Sequence, residues 1–181
     1  MMKDRHEAQW QTNYLAHWVF THRLFQVMLD TSKALPLGSV RIVNLNSSGH
    51  LSVPKHGINF ENPTLKDASS MAHYGPNKLA NVLHTKSLHA TYGPVSPSAR
   101  NNDGEIWASC ISPGLVETNL ADGVSRSGFT MTSVASVLRM VSLFWSADKG
   151  SYNNLFCVAS KDMKAEQSVE YLEIFGHSGE P

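Results

Sequence analysis

The sequence predicts an α/β domain in which a short parallel sheet of three strands is flanked by helices on both faces. Three observations support this prediction. Helix-like and strand-like segments alternate along the 181 residues. The strand-like segments are apolar throughout instead of alternating, as in strands buried on both faces. The connections are also long enough to hold crossover helices. Ligands bind such sheets at the carboxyl ends of the strands.

The first half of the chain predicts a helix, a strand and a second helix. Apolar residues recur at helical spacing over 7–30 without Gly or Pro, and the stripe is broad enough to need cover on more than one side. The β-branched run 40–46 predicts a buried strand that leads into a Ser/Gly loop. The second helix is predicted over 72–92. Because Pro76 fits only a first helical turn, we expect this helix to begin between residues 72 and 75.

The second half predicts two more strands around a third helix. Residues 105–111 form an apolar run followed by Ser112-Pro113-Gly114, which indicates a buried strand and a turn. Helical spacing predicts a helix over 131–146, and the apolar run 154–159 predicts the third strand. The tail, 160–181, is polar. No repeat or linker divides the chain, so one domain over 1–181 is predicted.

Composition excludes several classes of function. Lys plus Arg and Asp plus Glu number 15 each, which is not the footprint of a protein that binds nucleic acid or anionic membranes. No run approaches the ~20 apolar residues of a membrane span. The polar N-terminus is no signal peptide, so a cytoplasmic protein is expected. Cys110 and Cys157 lie in apolar runs, which favours buried thiols over a disulfide. The histidine spacing predicts no metal site.

Tyr74 and Lys78 form the most chemically informative pair. Their spacing of four residues places both side chains on one face of a helix. A positive charge beside a phenol favours the phenolate, and a tyrosine supported in this way can exchange a proton with an alcohol or a carbonyl. The pair alone is a weak signal, because most such pairs are neighbours on a helix surface.

Four motifs, in order, resemble the catalytic half of the short-chain dehydrogenase/reductase family, and most of all its retinol-dehydrogenase-like and WW-domain-oxidoreductase-like branch. The run RIVNLNSSGH, residues 41–50, is similar to the family's strand and catalytic-serine segment. It aligns Ser47 with that serine, and Ser48 is the competitor. Tyr74 and Lys78 match the family's Tyr-x-x-x-Lys. The run SPGLVET, residues 112–118, resembles the loop that contacts the cofactor, and Asn13 matches the asparagine of the family's catalytic tetrad.

The resemblance implies an NAD(P)-dependent oxidoreductase that acts on a carbonyl or alcohol substrate. Tyr74 would be the general acid/base, and Lys78 would support it and hold the nicotinamide ribose. Ser47 would donate a hydrogen bond to the substrate oxygen, and Asn13 would hold a water that links Lys78 to solvent. The resemblance also implies a homodimer through the helices of Asn13 and Tyr74, and it leaves NAD and NADP as alternatives. The implied cofactor-binding residues are Tyr74, Lys78, Pro113, Gly114, Val116 and Thr118.

One departure from the family changes the expectation for this chain. The family opens with a strand, Thr-Gly-x-x-x-Gly-x-Gly and a helix, which bind the pyrophosphate, and the sequence contains no such run. We therefore expect a truncated Rossmann-type three-layer fold that lacks the first nucleotide-binding half and leaves strand 40–46 as an open edge. By itself the chain should bind the cofactor weakly and not turn over. The alternative is a non-catalytic remnant or partial gene product that at most self-associates or binds a partner.

Overall fold

A four-stranded sheet organises the residues that the computed structural model describes, which are 6–62, 69–116, 144–173 and 177–179. Its strands are β1 (Arg41–Leu45), β2 (Trp107–Ile111), β3 (Tyr171–Glu173) and β4 (His177–Gly179). They lie in that order, with β1, β2 and β3 parallel and β4 antiparallel to β3. The predicted α/β architecture with three parallel strands is confirmed.

β2 forms the centre of the core because it is buried along its whole length. Successive side chains of a strand point to opposite faces. Trp107 and Ile111 accordingly pack with Cys157 and Leu172 in one cluster, while Ala108 packs with Ile42 and Leu88 in another. Both faces of the strand are therefore covered by apolar side chains, which explains why its sequence does not alternate.

The first helix, α1, is continuous from Ala8–Trp10 through a π-helical turn at Gln11–Leu15 to Ala16–Ala34. The Glu7 carboxylate caps it by accepting hydrogen bonds from the backbone N–H groups of Gln9 and Trp10. The helix predicted over 7–30 is thus present and somewhat longer. Its inner face packs on the core, but Phe20 is 67% and Val27 64% exposed. Within the described residues this outer face is exposed, so the expected cover on a second side is not provided by this part of the chain.

The second helix, α2 (Ser70–Tyr92), begins earlier than predicted. The Ser69 hydroxyl accepts a hydrogen bond from Ala72 N–H at 3.3 Å, and this cap starts the helix before residue 72. Pro76 consequently lies inside the helix, where it removes one backbone hydrogen bond, and not in the first turn as expected. A short helix, α3 (Pro97–Arg100), lies in the segment that follows.

The predicted third strand is wrong, because residues 154–159 belong to helix α4 (Ala147–Ala159). The buried residues of this helix are Gly150, Asn153 and Cys157, a spacing of three and four residues that is helical. A short apolar run does not by itself distinguish a strand from a buried helix. The third parallel strand is β3 instead, in the segment predicted to be a polar tail.

Two other expectations can be compared with the described residues, and a third falls mostly outside them. Cys110 and Cys157 are both free and buried, as predicted. The predicted helix over 131–146 lies outside the described residues except for positions 144–146. In the part of the chain that the structure describes, no helix is both long and apolar enough to cross a membrane.

Candidate active site

Ser47 lies just past the carboxyl end of β1, where the chain turns into a short 3₁₀ helix, Ser48–Ser52. Its backbone is extended, with φ −163° and ψ 153°, and its Oγ accepts a hydrogen bond from Gly49 N–H at 3.2 Å. The competing Ser48 is exposed, whereas Ser47 is partly buried. Of the two serines, Ser47 is therefore the one that the turn directs inward.

The Tyr74 ring lies against the backbone of Gly49. A Cβ atom built on Gly49 would stand 2.6 Å from Tyr74 Cε1 and 3.6 Å from Ser47 Oγ. Gly75 adds to this close approach, because a Cβ there would stand 3.2 Å from the Gly49 carbonyl oxygen. Two glycines thus let α2 pack closely on the 3₁₀ helix, and the structure brings Ser47 and Tyr74 to one place.

Lys78 joins the same place from the next turn of α2. Its Nζ is 5.5 Å from the centroid of the Tyr74 ring and donates a hydrogen bond to the Leu45 carbonyl oxygen at 3.0 Å. Burial lowers the pKa of the Lys78 ammonium, an effect that a negative charge on the nearby Cys110 sulfur would oppose. Burial also raises the pKa of Cys110 to about 12, so this thiol is a neutral neighbour at physiological pH.

Asn13 lies in the π-helical turn of α1, a rare geometry that is frequent at functional sites. Its carbonyl oxygen accepts a hydrogen bond from Asn81 Nδ2 at 3.2 Å. The polar contacts continue in α2, where the Thr85 hydroxyl donates to the Asn81 carbonyl oxygen and accepts from Asn44 Nδ2. A buried polar chain therefore connects β1, α2 and the turn that carries Asn13.

Among the described residues, a groove of about 550 Å³ lies between α1 and β1. All five residues of β1 line it, so it follows the open edge of the sheet. Its polar end contains Asn13, Lys78 and Asn81, but neither Ser47 nor Tyr74 lines it. The groove therefore meets the candidate site at Lys78 and is not centred on it.

The loop after β2 leaves the sheet beside Ser47. Leu45 is paired with Ile111, so Pro113 and Gly114 follow β2 at the same edge of the sheet. Gly114 has a φ of +74°, a conformation that favours glycine, and Val116 forms a bridge with Trp145. Thr118, the remaining residue predicted to bind the cofactor, lies outside the described residues.

Among the described residues, no three His, Cys, Asp or Glu side chains are grouped so that they could hold a metal ion. The chemistry available here is instead that of a hydroxyl, a phenol and an ammonium. Such a set can donate hydrogen bonds and exchange a proton.

Several known proteins are similar in sequence to this chain. No family model matches the chain. It is 41% identical over 171 residues to the short-chain dehydrogenase/reductase drtF of Aspergillus calidoustus, covering 93% of this chain and 52% of that protein. It is 33% identical over 132 residues to mouse retinol dehydrogenase 13, covering 71% of this chain and 34% of that protein. The chain is therefore similar in sequence to proteins named as short-chain dehydrogenase/reductases and retinol dehydrogenases. It spans about half the length of the curated relatives it matches first.

Solved structures support the fold. A crystal structure of an uncharacterized protein from Mycobacterium paratuberculosis superposes with a TM-score of 0.58 and 24% identity, over 99% of this chain and 50% of that one. The NADPH-bound carbonyl reductase from chicken fatty liver gives a TM-score of 0.58 at 13% identity, over 99% of this chain and 58% of that one. At these identities the likeness concerns the Rossmann-like fold alone.

Three buried residues that motif matching to the short-chain dehydrogenase/reductases did not select also lie at the carboxyl end of the sheet. His50 is only 4% exposed and its ring packs on Tyr171. Tyr171 was missed because its strand was read as tail. Asn153 donates hydrogen bonds to the carbonyl oxygens of Ser112 and Glu173, and so ties the ends of β2 and β3 together. No spacing in the sequence could have indicated contacts between such distant segments.

Proposed function

We propose that this chain carries the catalytic residues of an NAD(P)-dependent oxidoreductase that interconverts a carbonyl and an alcohol, with Tyr74 as the general acid/base. The observation that carries the proposal is that Ser47 Oγ and Tyr74 Cε1 lie close to the same position beside Gly49. They are 3.6 Å and 2.6 Å from the place that a Cβ atom on Gly49 would occupy. The relatives named short-chain dehydrogenase/reductase and retinol dehydrogenase support the reaction type. The substrate class beyond carbonyl or alcohol stays open.

The hydroxyl of Ser47 is suited to polarise the substrate oxygen. A hydroxyl has one O–H donor and two acceptor lone pairs. Because Ser47 Oγ accepts from Gly49 N–H, its acceptor side is engaged while its O–H can donate to a substrate. In this role Ser47 stabilises negative charge as it develops on the substrate oxygen, and a single donor of this kind can contribute a factor of about 10²–10³ to kcat.

Lys78 has two tasks in the proposed mechanism. Its ammonium, 5.5 Å from the centre of the Tyr74 ring, stabilises the negative charge on Tyr74 when the phenol gives up its proton. Of its three N–H donors, one is engaged by Leu45, and the other two can serve the nicotinamide ribose. Asn13 shares the groove with Lys78, and we assign it the water that connects the ammonium to solvent.

The described residues fit one end of a nicotinamide cofactor. The cofactor supplies the hydride when it is bound. We assign Lys78 and the backbone after β2 to its nicotinamide ribose end, whereas the sequence contains no Gly-rich run for the pyrophosphate. We therefore expect the 181-residue chain alone to bind NADH or NADPH weakly, because few contacts offset the ordering of a flexible ligand. NAD and NADP are not distinguished by these residues.

The proposal is tested by cofactor titration and by an assay of aldehydes and ketones at millimolar NADH or NADPH. Any turnover that millimolar cofactor restores in spite of the weak binding should be abolished by Tyr74→Phe and left unchanged by Tyr152→Phe, at an exposed position of α4. Lys78→Met should weaken cofactor binding, and the matched control Lys86→Met, exposed on the same helix, should not. Wild-type turnover by Tyr74→Phe would refute the assignment of the acid/base. Micromolar binding of the cofactor with turnover would show that the chain alone is sufficient.

We also propose a homodimer through α1 and α2. Both helices carry exposed apolar side chains, such as Phe20 and Leu83, and exposed apolar patches frequently mark association surfaces. Sedimentation equilibrium tests this proposal. We expect Leu83→Glu to dissociate the dimer and Leu37→Glu, outside both helices, to leave it intact. A wild-type monomer at all concentrations would exclude the dimer.

A further inference from the structure

His50 is a buried titratable residue that the proposed mechanism does not use. It lies in the 3₁₀ helix three residues after Ser47, is 4% exposed, and packs its ring against Tyr171 with centroids 4.7 Å apart and the ring planes tilted by 59°. Its Nδ1 is 2.8 Å from the Ser47 carbonyl oxygen. A polar side chain buried to this degree usually has a defined structural or functional task.

The contact with Ser47 fixes the tautomer of His50. A carbonyl oxygen can only accept a hydrogen bond, so Nδ1 must carry the proton and donate it. In the neutral ring the other nitrogen, Nε2, is then an acceptor. Nε2 is buried and has no hydrogen-bond partner among the described residues, so the interaction with Ser47 is the polar contact that orients this ring.

Two hydrogen bonds from His50 converge on one carbonyl group. The backbone N–H of His50 donates to the Ser47 carbonyl oxygen at 3.2 Å, in addition to the bond from Nδ1. The side chain of Ser47 is also held, because Gly49 N–H donates a hydrogen bond to Ser47 Oγ. The peptide plane and the hydroxyl of Ser47 are thus held from both ends. The bond from Gly49 N–H restricts the rotamer of Ser47, and Gly49 and His50 belong to the same 3₁₀ helix.

We propose that His50 is a positioning residue, which holds Ser47 through its carbonyl group and so keeps the Ser47 hydroxyl directed toward Tyr74. This inference rests on the proposed function of Ser47 and Tyr74. His50 acts through Ser47 and touches neither substrate nor cofactor. A displacement of about 1 Å at a reacting group can cost on the order of 10²-fold in rate, so a residue that fixes a hydroxyl can strongly affect turnover.

Substitutions separate the donor of His50 from its bulk. His50→Phe keeps the ring and its packing on Tyr171 but removes Nδ1. His50→Asn offers an amide N–H close to the position of Nδ1 and should restore the contact. His56→Phe, at an exposed histidine of the next loop, is the matched control. The readout is amide hydrogen exchange at Gly49, because this N–H is bonded to Ser47 Oγ and reports its rotamer directly.

In His50→Phe we expect exchange at Gly49 to accelerate about fivefold or more, as for the loss of one hydrogen bond. His50→Asn and His56→Phe should exchange as the wild type does. In a Ser47→Ala background, His50→Phe should cause no further acceleration, whereas a general loosening of the turn would. Unchanged exchange in His50→Phe, or the same additional acceleration with and without Ser47, overturns the inference.

Turnover provides a second, separable test. We expect His50→Phe to lower kcat by about 10²-fold with little change in KM, and the effect to vanish in the Ser47→Ala background, because residues that act through one another are not additive. Additive losses would overturn the positioning role. If Ser47→Ala and Tyr74→Phe retain wild-type turnover, the proposed function fails instead, whatever the exchange data show for His50.

Discussion

Replacing Gly49 by alanine probes the contact that brings Ser47 and Tyr74 together. The new methyl group would stand 2.6 Å from Cε1 and 2.8 Å from Cδ1 of Tyr74, well inside van der Waals contact, so the ring must move. Overpacking of this kind costs about 1–3 kcal/mol. The reduced entropy of the unfolded chain returns about 0.4–1 kcal/mol. We therefore expect Gly49→Ala to lower the free energy of unfolding by about 1–2 kcal/mol.

Gly75→Ala is the matched control because it adds the same methyl group on the opposite side of this contact. Its nearest neighbours would be the Gly49 carbonyl oxygen at 3.2 Å and Val53 Cγ2 at 3.3 Å, which small shifts can accommodate. Gly75 lies within α2, where alanine gains about 1 kcal/mol of helix propensity over glycine, and crowding of the new Cβ by the following Pro76 ring offsets part of this gain. We expect this variant to be close to neutral or slightly more stable.

Urea unfolding of both variants, followed by circular dichroism, measures these differences. The aromatic NMR signals of Tyr74 should shift in Gly49→Ala and remain nearly unchanged in Gly75→Ala. Equal stability of the two variants would refute the argument, because only the methyl group at position 49 would overlap the Tyr74 ring. A destabilised Gly49→Ala with an unmoved Tyr74 ring would show that the strain is absorbed by the 3₁₀ turn.

Three further predictions concern stability and reactivity. Arg41 donates hydrogen bonds to the carbonyl oxygens of Cys157 and Ser160 at the end of α4. Arg41→Met should therefore lower the free energy of unfolding in urea by about 3 kcal/mol, and Arg41→Lys should lower it less. A decrease below ~1 kcal/mol in Arg41→Met would contradict this. Burial lowers the pKa of His89, so the contribution of its neutral ring to the free energy of unfolding is intact above pH ~6.5 and lost as the pH falls through the lower folded pKa. The melting temperature should therefore fall over this range, and it should fall less in His89→Gln. Burial raises the pKa of Cys110 to about 12 and that of Cys157 to about 11, so a thiol reagent at pH 8 should label neither before unfolding.

The elements that the sequence predicted correctly are those whose local pattern and packing agree. Strand 40–46 is β-branched and buried on the sheet, and helix 72–92 has both a periodic apolar pattern and a Gly-Pro stop. The error at 154–159 arises where the pattern was too short to decide. Cys157 is buried in either conformation, and only the cap at Ser146 and the spacing from Gly150 show that the segment is helical.

The order of the motifs predicted which residues form the candidate site, but not the contacts that hold them in place. Ser47, Tyr74 and Lys78 could be selected by their spacing and their position after a strand. The contacts that hold them could not, because each joins segments that lie far apart in the chain. Asn81 reaches Asn13 across 68 positions, and Asn44 reaches Thr85 across 41. Such contacts depend on how α1 and β1 pack on α2, which no local pattern specifies.

The position of Lys78 shows how the sheet itself contributes to the site. In a trans peptide the carbonyl of one residue and the N–H of the next point in opposite directions. Asn46 N–H donates to the Ile111 carbonyl oxygen at 2.7 Å, toward β2, so the Leu45 carbonyl points away from β2 to the open edge of β1. Lys78 Nζ binds this carbonyl. The four-residue spacing brings Lys78 only as far as the Tyr74 ring, whereas the register between β1 and β2 fixes the backbone oxygen that holds its ammonium. A shift of one residue in that register would turn the Leu45 carbonyl toward β2 and leave the lysine without its anchor, even with the Tyr-x-x-x-Lys motif unchanged.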